Sequence, residues 1–167
     1  MTTLKKECRL RRIAAFVRVG EMNGSLRKPE LPLPGCRVML VCGPPASGKT
    51  TYVKALARAD DIIIDLDEIA REKGYRSLPI LLFERNERLA ALRFEPRSRK
   101  AWVIICAPSK ELREHWKRVL GVQPRDLILL RPTRRELIRR INCDPERLKS
   151  RTLNLDLVER WFEAEDA

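Results

Sequence analysis

The chain has 167 residues, which suits one domain with a sizeable core, and its apolar share of 44% is ordinary for a globular protein. No apolar run reaches transmembrane length, and five scattered cysteines without C-x-x-C spacing, with His115 alone to assist them, argue against a zinc site. The formal charge of +12 and a pI near 10.0 point to a polyanionic partner or to a solvated arginine-rich surface.

Residues 1–35 hold eight Lys/Arg against three Glu, a net +5, and read as a basic N-terminal extension. Leu4, Cys8, Ile13, Phe16 and Val17 form a loose helical stripe among these charges, suited to packing on the domain, to nucleic acid or to a membrane surface. The start is basic but lacks a continuous apolar segment, so no signal peptide is expected, and a reducing cytoplasm fits the cysteines. Gly20 and Asn23-Gly24 break the stripe. Pro29, Pro32, Pro34 and Gly35 then lead stiffly into an apolar run, Val38 to Cys42, that reads as a buried strand.

Directly after that run comes Gly43-Pro44-Pro45-Ala46-Ser47-Gly48-Lys49-Thr50-Thr51, the pattern G-x-x-x-x-G-K-T, followed by a helix carrying Tyr52, Val53 and Leu56 on one face. The glycines permit sharp turns and close approach of phosphate oxygens, and successive N–H groups at a helix start face anionic groups. Lys49 is placed for the β- and γ-phosphates, and Thr50 for magnesium. The expected ligands are therefore ATP and Mg2+.

Ile62-Ile63-Ile64 is a second buried strand that closes on Asp65-Leu66-Asp67. A helix follows from Asp67 to about Lys73, where Gly74 stops it. Pro79 opens another, with Leu82, Leu89 and Leu92 inward, before a basic loop from Arg97 to Lys100. Trp102 to Cys106 is the third strand. Ser109 caps the next helix, which carries Leu112, Trp116, Val119 and Leu120. Asp126 to Leu130 is the fourth strand. Thr133 caps a helix with Leu137, Ile138 and Ile141 on one side and Arg134, Arg135, Arg139 and Arg140 on the other. Asn142 to Thr152 reads as a polar loop or lid with Arg147, Lys149 and Arg151, and a last helix, about Leu155 to Glu163, presents Leu155, Val158 and Phe162. Alternating strands and helices imply an α/β, three-layer fold: a short parallel sheet with helices on both faces, and ligands at the carboxyl ends of the strands.

Asp65 and Asp67 stand at such an end. Phosphoryl transfer needs metal to neutralise charge and a carboxylate to orient or deprotonate the acceptor, and two acids can divide those tasks. The alternative is that Asp67 only caps its helix while Asp65 is a solvated strand end.

The phosphate loop, the Ile-Ile-Ile-Asp65-Leu-Asp67 stretch and the arginine-rich segment at about 134–152 together resemble small P-loop kinases. That group includes polynucleotide 5′-hydroxyl kinases, zeta-type toxin kinases, shikimate and gluconate kinases and nucleotide kinases, with an adenylate-kinase-like fold. The chain is also similar to kinase-like ATPases encoded in bacterial prophages. The resemblance covers residues 36–151 in element order, the domain proper being expected over 36–167. It implies an ATP-dependent phosphotransferase in which Asp67 activates the acceptor and Asp65 joins Thr50 in the metal shell. Lys49, Asp67, Arg139 and Arg147 make up the implied catalytic set, with Arg140 and Arg151 as further candidates. Two positions depart from the pattern: the third strand ends Cys106-Ala107-Pro108-Ser109 without a carboxylate, and Ala70 stands where polynucleotide kinases place an arginine, Arg71 following it. The acceptor stays open between a DNA or RNA 5′-hydroxyl, a nucleoside or nucleotide and a small metabolite, and a P-loop ATPase or nucleic-acid-binding accessory module is the alternative class.

Overall fold

A computed structural model of the chain describes residues 31–74, 77–148 and 150–166, so the stripe over residues 4–17, Tyr75 and Lys149 lie outside the described residues. Four parallel strands form one sheet: β1 (Arg37–Cys42), β2 (Ile62–Asp65), β3 (Lys100–Ile105) and β4 (Leu127–Leu129), in the order β2-β3-β1-β4. Leu40 pairs with Val103 on one side of β1 and with Leu127 on the other. Three of these strands are apolar almost throughout because both sheet faces are covered.

The pleat sorts them. Val38, Leu40, Ile64, Val103 and Ile105 face a core completed by Ile69, Leu81, Leu89, Trp116 and Leu120. Those residues come from α2 (Leu66–Lys73), α3 (Leu78–Ala91) and α4 (Lys110–Val119), Leu120 being the cap of α4. On the opposite face Val41, Trp102 and Ile104 pack with Val53 of α1 (Lys49–Leu56). Burial of a side chain such as Leu40 contributes about 1.5–3 kcal/mol. A third cluster joins Leu137 and Ile141 of α5 (Arg134–Cys143) to Val158 of α7 (Arg151–Asp166), with Ala46 of the phosphate loop against it.

Several expectations need correction. The segment 142–152 is mostly helical: α5 runs to Cys143, and the short α6 (Pro145–Leu148) follows. Proline suits the first helical position, and Leu148 N–H reaches Asp144 O at 3.1 Å. Ser150 heads α7, accepting from Asn154 N–H at 2.9 Å. Leu56 is 51% exposed, because α1 ends there; Val53 is buried on the sheet and Tyr52 packs partly against the same cluster. In α3 the buried residue is Leu81, which stacks two turns before Leu89, rather than Leu82. In α7 Leu155, Val158 and Phe162 share the third cluster as expected, and Trp161 is buried beside them. Ahead of β1, Leu31 packs on the core and Gly35 N–H bonds Leu92 O at 2.9 Å.

The strand order locates a crevice. From β1 the chain crosses to β2 on one side, and from β3 it crosses to β4 on the other, so the connections diverge between the carboxyl ends of β1 and β3.

Candidate functional site

The phosphate loop leaves β1 at this crevice. Gly43 has φ 154°, Ala46 60° and Gly48 90°, so three left-handed residues curl the chain before α1. Such a curl turns N–H groups inward, and the positive end of α1 adds to their field. Gly43 is required by contact as well as conformation, because a Cβ there would lie 2.4 Å from Leu130 O. The Lys49 ammonium arches back over the loop to Gly43 O and Pro44 O, each at 2.8 Å. Burial lowers its pKa from lysine's ordinary value, with Cys106, Asp67 and Asp65 opposing. Phosphate oxygens are stronger partners for this cation than those two neutral carbonyls.

The two acids have distinct surroundings. Asp65 ends β2 in extended backbone and is buried. Its Oδ2 accepts from Thr50 Oγ1 at 2.7 Å, and its Oδ1 accepts from Asp67 N–H at 3.1 Å. Asp65 is therefore the cap of α2, while Asp67 sits exposed in its first turn, opposite to the alternative of a capping Asp67 and a solvated Asp65. Burial pushes the Asp65 carboxyl up from its ordinary value; the Thr50 bond opposes this and the Asp67 charge adds to it. Thr50 and Asp65 offer adjacent oxygens, the donor type that magnesium takes, usually from one or two protein groups beside substrate phosphates. Among the described residues no three His, Cys, Asp or Glu come together as a metal cage.

At the end of β3 no carboxylate faces the crevice. Cys106 lies there in the field of Lys49 and Asp67, and burial raises its thiol pKa. Cys42, at the end of β1, is pushed up to about 12, again by burial. Both thiols stay protonated at neutral pH and serve as packing. The β3 turn is fixed from behind: Trp161 Nε1 donates to Cys106 O at 3.2 Å, and Arg113 Nη1 donates to Ala107 O and Pro108 O at 3.1 and 2.6 Å. Arg113 in turn pairs with Glu165 at 2.8 Å. Periodicity alone did not single out Trp161, Arg113 or Glu165.

Of the arginines on α5, the structure brings Arg140 to the loop and not Arg139. Arg140 Nη1 donates to Ala46 O at 3.3 Å and Ser47 O at 3.2 Å, while its Nε bonds Glu136 at 2.8 Å. Arg139 is exposed and occupied by both oxygens of Glu136. The Arg147 side chain lies outside the described set, and Arg151 is exposed at the head of α7. Glu136, which orients Arg140, was legible from its i, i+4 spacing. Beside the loop an open cavity of about 650 Å³ is lined by Gly48, Thr51, Tyr52, Leu130, Arg140 and Asp144. Its size and mixed lining suit a nucleoside.

Among the described residues no helix is long and apolar enough to cross a membrane. No curated protein matches the chain. A family model described as an AAA domain matches residues 38–142, from the first strand through nearly all of α5. Because that match takes in well over half of the sequence and the whole of the phosphate loop, the chain belongs to the AAA domain family, as a P-loop, kinase-like nucleotide-binding protein.

Proposed function

We propose that the protein transfers the γ-phosphate of ATP to a hydroxyl acceptor. The observation that carries this reading is the division of labour at the end of β2. Asp65 is committed to Thr50 and to the α2 cap, so Asp67, exposed and within the field of Lys49, keeps a carboxylate without a partner among the described residues. Residues Gly43 to Thr51 hold the triphosphate, with the nucleoside in the adjoining cavity. Thr50 and Asp65 would hold Mg2+, which would supply charge neutralisation for the transferring phosphate. Asp67 accepts the acceptor's hydroxyl proton as that oxygen bonds phosphorus and the bond to the β–γ bridging oxygen breaks, releasing ADP. Lys49 stabilises charge on the transferring group, and Arg140, the arginine of the lid segment that touches the loop, shields its rear side. A polynucleotide 5′-hydroxyl is the acceptor favoured by the net charge of +12, ahead of a nucleoside or a small metabolite.

The test follows labelled γ-phosphate into a panel of 5′-hydroxyl DNA and RNA, nucleosides and polyols. Transfer is expected, and Asp67→Asn should lower kcat by roughly 10²–10⁴ while ATP affinity stays level. Phosphate released only to water, at a rate indifferent to Asp67→Asn, would make the protein an ATPase.

A further inference from the structure

The positive charge is distributed unevenly across the fold. Around the phosphate loop much of it is matched: Arg134 pairs with Glu159, Arg139 and Arg140 with Glu136, and Arg113 and Arg131 with Glu165. At the amino edge of the sheet, opposite the loop, Arg37 and Arg99 are matched but four further arginines are not. There Arg93 and Arg97 precede β3, Arg118 ends α4, and Arg125 precedes β4; all four are exposed, and none has a carboxylate within ion-pair distance among the described residues. The acids of this edge are mostly occupied. Asp126 is buried against Arg37, Glu95 is held by Arg99, and Asp61 accepts from Trp102, while Asp60 is exposed.

These residues share one continuous ridge. Gly35 packs so closely on the strand lead-in that a Cβ would lie 2.7 Å from Arg93 O, and a Cβ on Gly121 would touch Leu33 at 3.4 Å. Residues 33–37 thus bridge the two arginine pairs. Because β3 and β4 flank β1, the starts of these two strands stand about two strand spacings, roughly 10 Å, apart. On the ridge Phe94 is 76% exposed, with the Arg93 guanidinium 4.3 Å from its ring centre.

We propose that this amino-edge ridge is a second binding site, separate from the nucleotide site, for the sugar–phosphate backbone of single-stranded nucleic acid. Guanidinium forks match phosphate oxygens in pairs, and an exposed ring beside an arginine offers a stacking face to an unpaired base. No base-edge readout is involved, so recognition is indifferent to sequence. The site acts without MgATP and does not depend on the phosphotransferase reading: oligonucleotide binding tests the one, γ-phosphate transfer the other.

A labelled single-stranded oligonucleotide is titrated with the full chain across a salt series, without nucleotide. Each arginine that meets a phosphate contributes about −0.7 to the slope of log affinity on log salt, so the four contribute about −2.8. Arg93→Ala/Arg97→Ala and Arg118→Ala/Arg125→Ala should each flatten the slope by about 1.4. Phe94→Ala should weaken binding by roughly tenfold at an unchanged slope. Arg135→Ala, at the loop side, should leave the slope as it was, and MgATP affinity in every variant reports an intact fold. Unchanged slopes in both amino-edge variants would overturn the proposal. So would polyglutamate or phosphatidylserine vesicles that bind the ridge as tightly as the oligonucleotide, since the ridge would then read charge alone.

Discussion

Replacing Gly43 by alanine separates a backbone demand from a merely tolerated glycine, with Gly74 as the comparison. At Gly74 φ is +66° and none of the described residues lies within 4 Å of the added Cβ, so Gly74→Ala carries the left-handed penalty of about 1–2 kcal/mol. Reduced freedom of the unfolded chain returns about 0.4–1 kcal/mol of that. At Gly43 φ is +154° and the Cβ would sit 2.4 Å from Leu130 O and 2.9 Å from Ser47 Oγ. Ser47 can turn aside, but Leu130 is anchored, its N–H bonding Cys42 O at 2.8 Å. Strain of about 1–3 kcal/mol and overpacking of about 1–3 kcal/mol therefore add, and Gly43→Ala should cost some 2–3 kcal/mol more than Gly74→Ala. Relief by moving the loop would draw its N–H groups off the phosphates, so affinity for a fluorescent ATP analogue should fall more than tenfold in Gly43→Ala and stay level in Gly74→Ala. Urea unfolding and fluorescence titration measure the two effects. Equal stabilities for the variants, with nucleotide affinity retained in both, would refute the packing at the loop.

Lys49→Ala should weaken MgATP binding by about a hundredfold, the equivalent of one strong charge-assisted contact, with the circular dichroism spectrum unchanged; isothermal titration decides it. Arg140→Ala should raise the ATP dissociation constant by about tenfold, whereas Arg139→Ala should leave it within about twofold, because Arg140 reaches the loop and Arg139 is turned to Glu136. Glu136 is drawn down from 4.5 to about 2 by its bonds from Arg139 and Arg140. Its folded pKa lies below its unfolded one, so its contribution is complete above about 4.5 and is lost as pH falls through about 2. A carboxyl carbon NMR titration should place the Glu136 midpoint near 2; a midpoint at the ordinary value would mean that the arginines do not hold it.

The phosphate loop and the strands were legible because their signals are local: fixed glycine spacing, β-branched runs and caps at Ser109 and Thr133. What failed depended on phase or on distance. Asp65 and Asp67 are equally good caps by type, and the choice turned on α2 beginning one residue early, at Leu66. For the arginines the phase was readable. On a helix Arg140 lies about 60° from buried Leu137 and Arg139 about 160° away, so the neighbour of the apolar stripe was the one able to bend under toward the fold. The segment 142–152 looked like a loop by polarity, although Asp144-Pro145 and Ser150 are helix-start signals. No local pattern could have joined Trp161 to Cys106, 55 residues apart.

That last pair explains how two strained turns stay in place. Ala46 and Ala107, neither of them glycine, hold φ of 60° and 33°, conformations that cost about 1–3 kcal/mol each and flank the crevice where Lys49 stands. Both are restrained by the same pair of helices. Through α5, Arg140 bonds the carbonyls of Ala46 and Ser47, and the Ala46 methyl packs against the cluster of Leu137, Ile141 and Val158. Through α7, Trp161 and Glu165 hold Cys106 O and Arg113, the latter bonded to Ala107 O. Arg113 and Glu165 are each about nine-tenths buried, and breaking such a pair costs about 3–5 kcal/mol, comparable to the strain of both turns. Residues 151–166 lie beyond the matched AAA domain, yet the β3 turn depends on them. The frame of the nucleotide site therefore extends past the matched loop-and-sheet unit into α7.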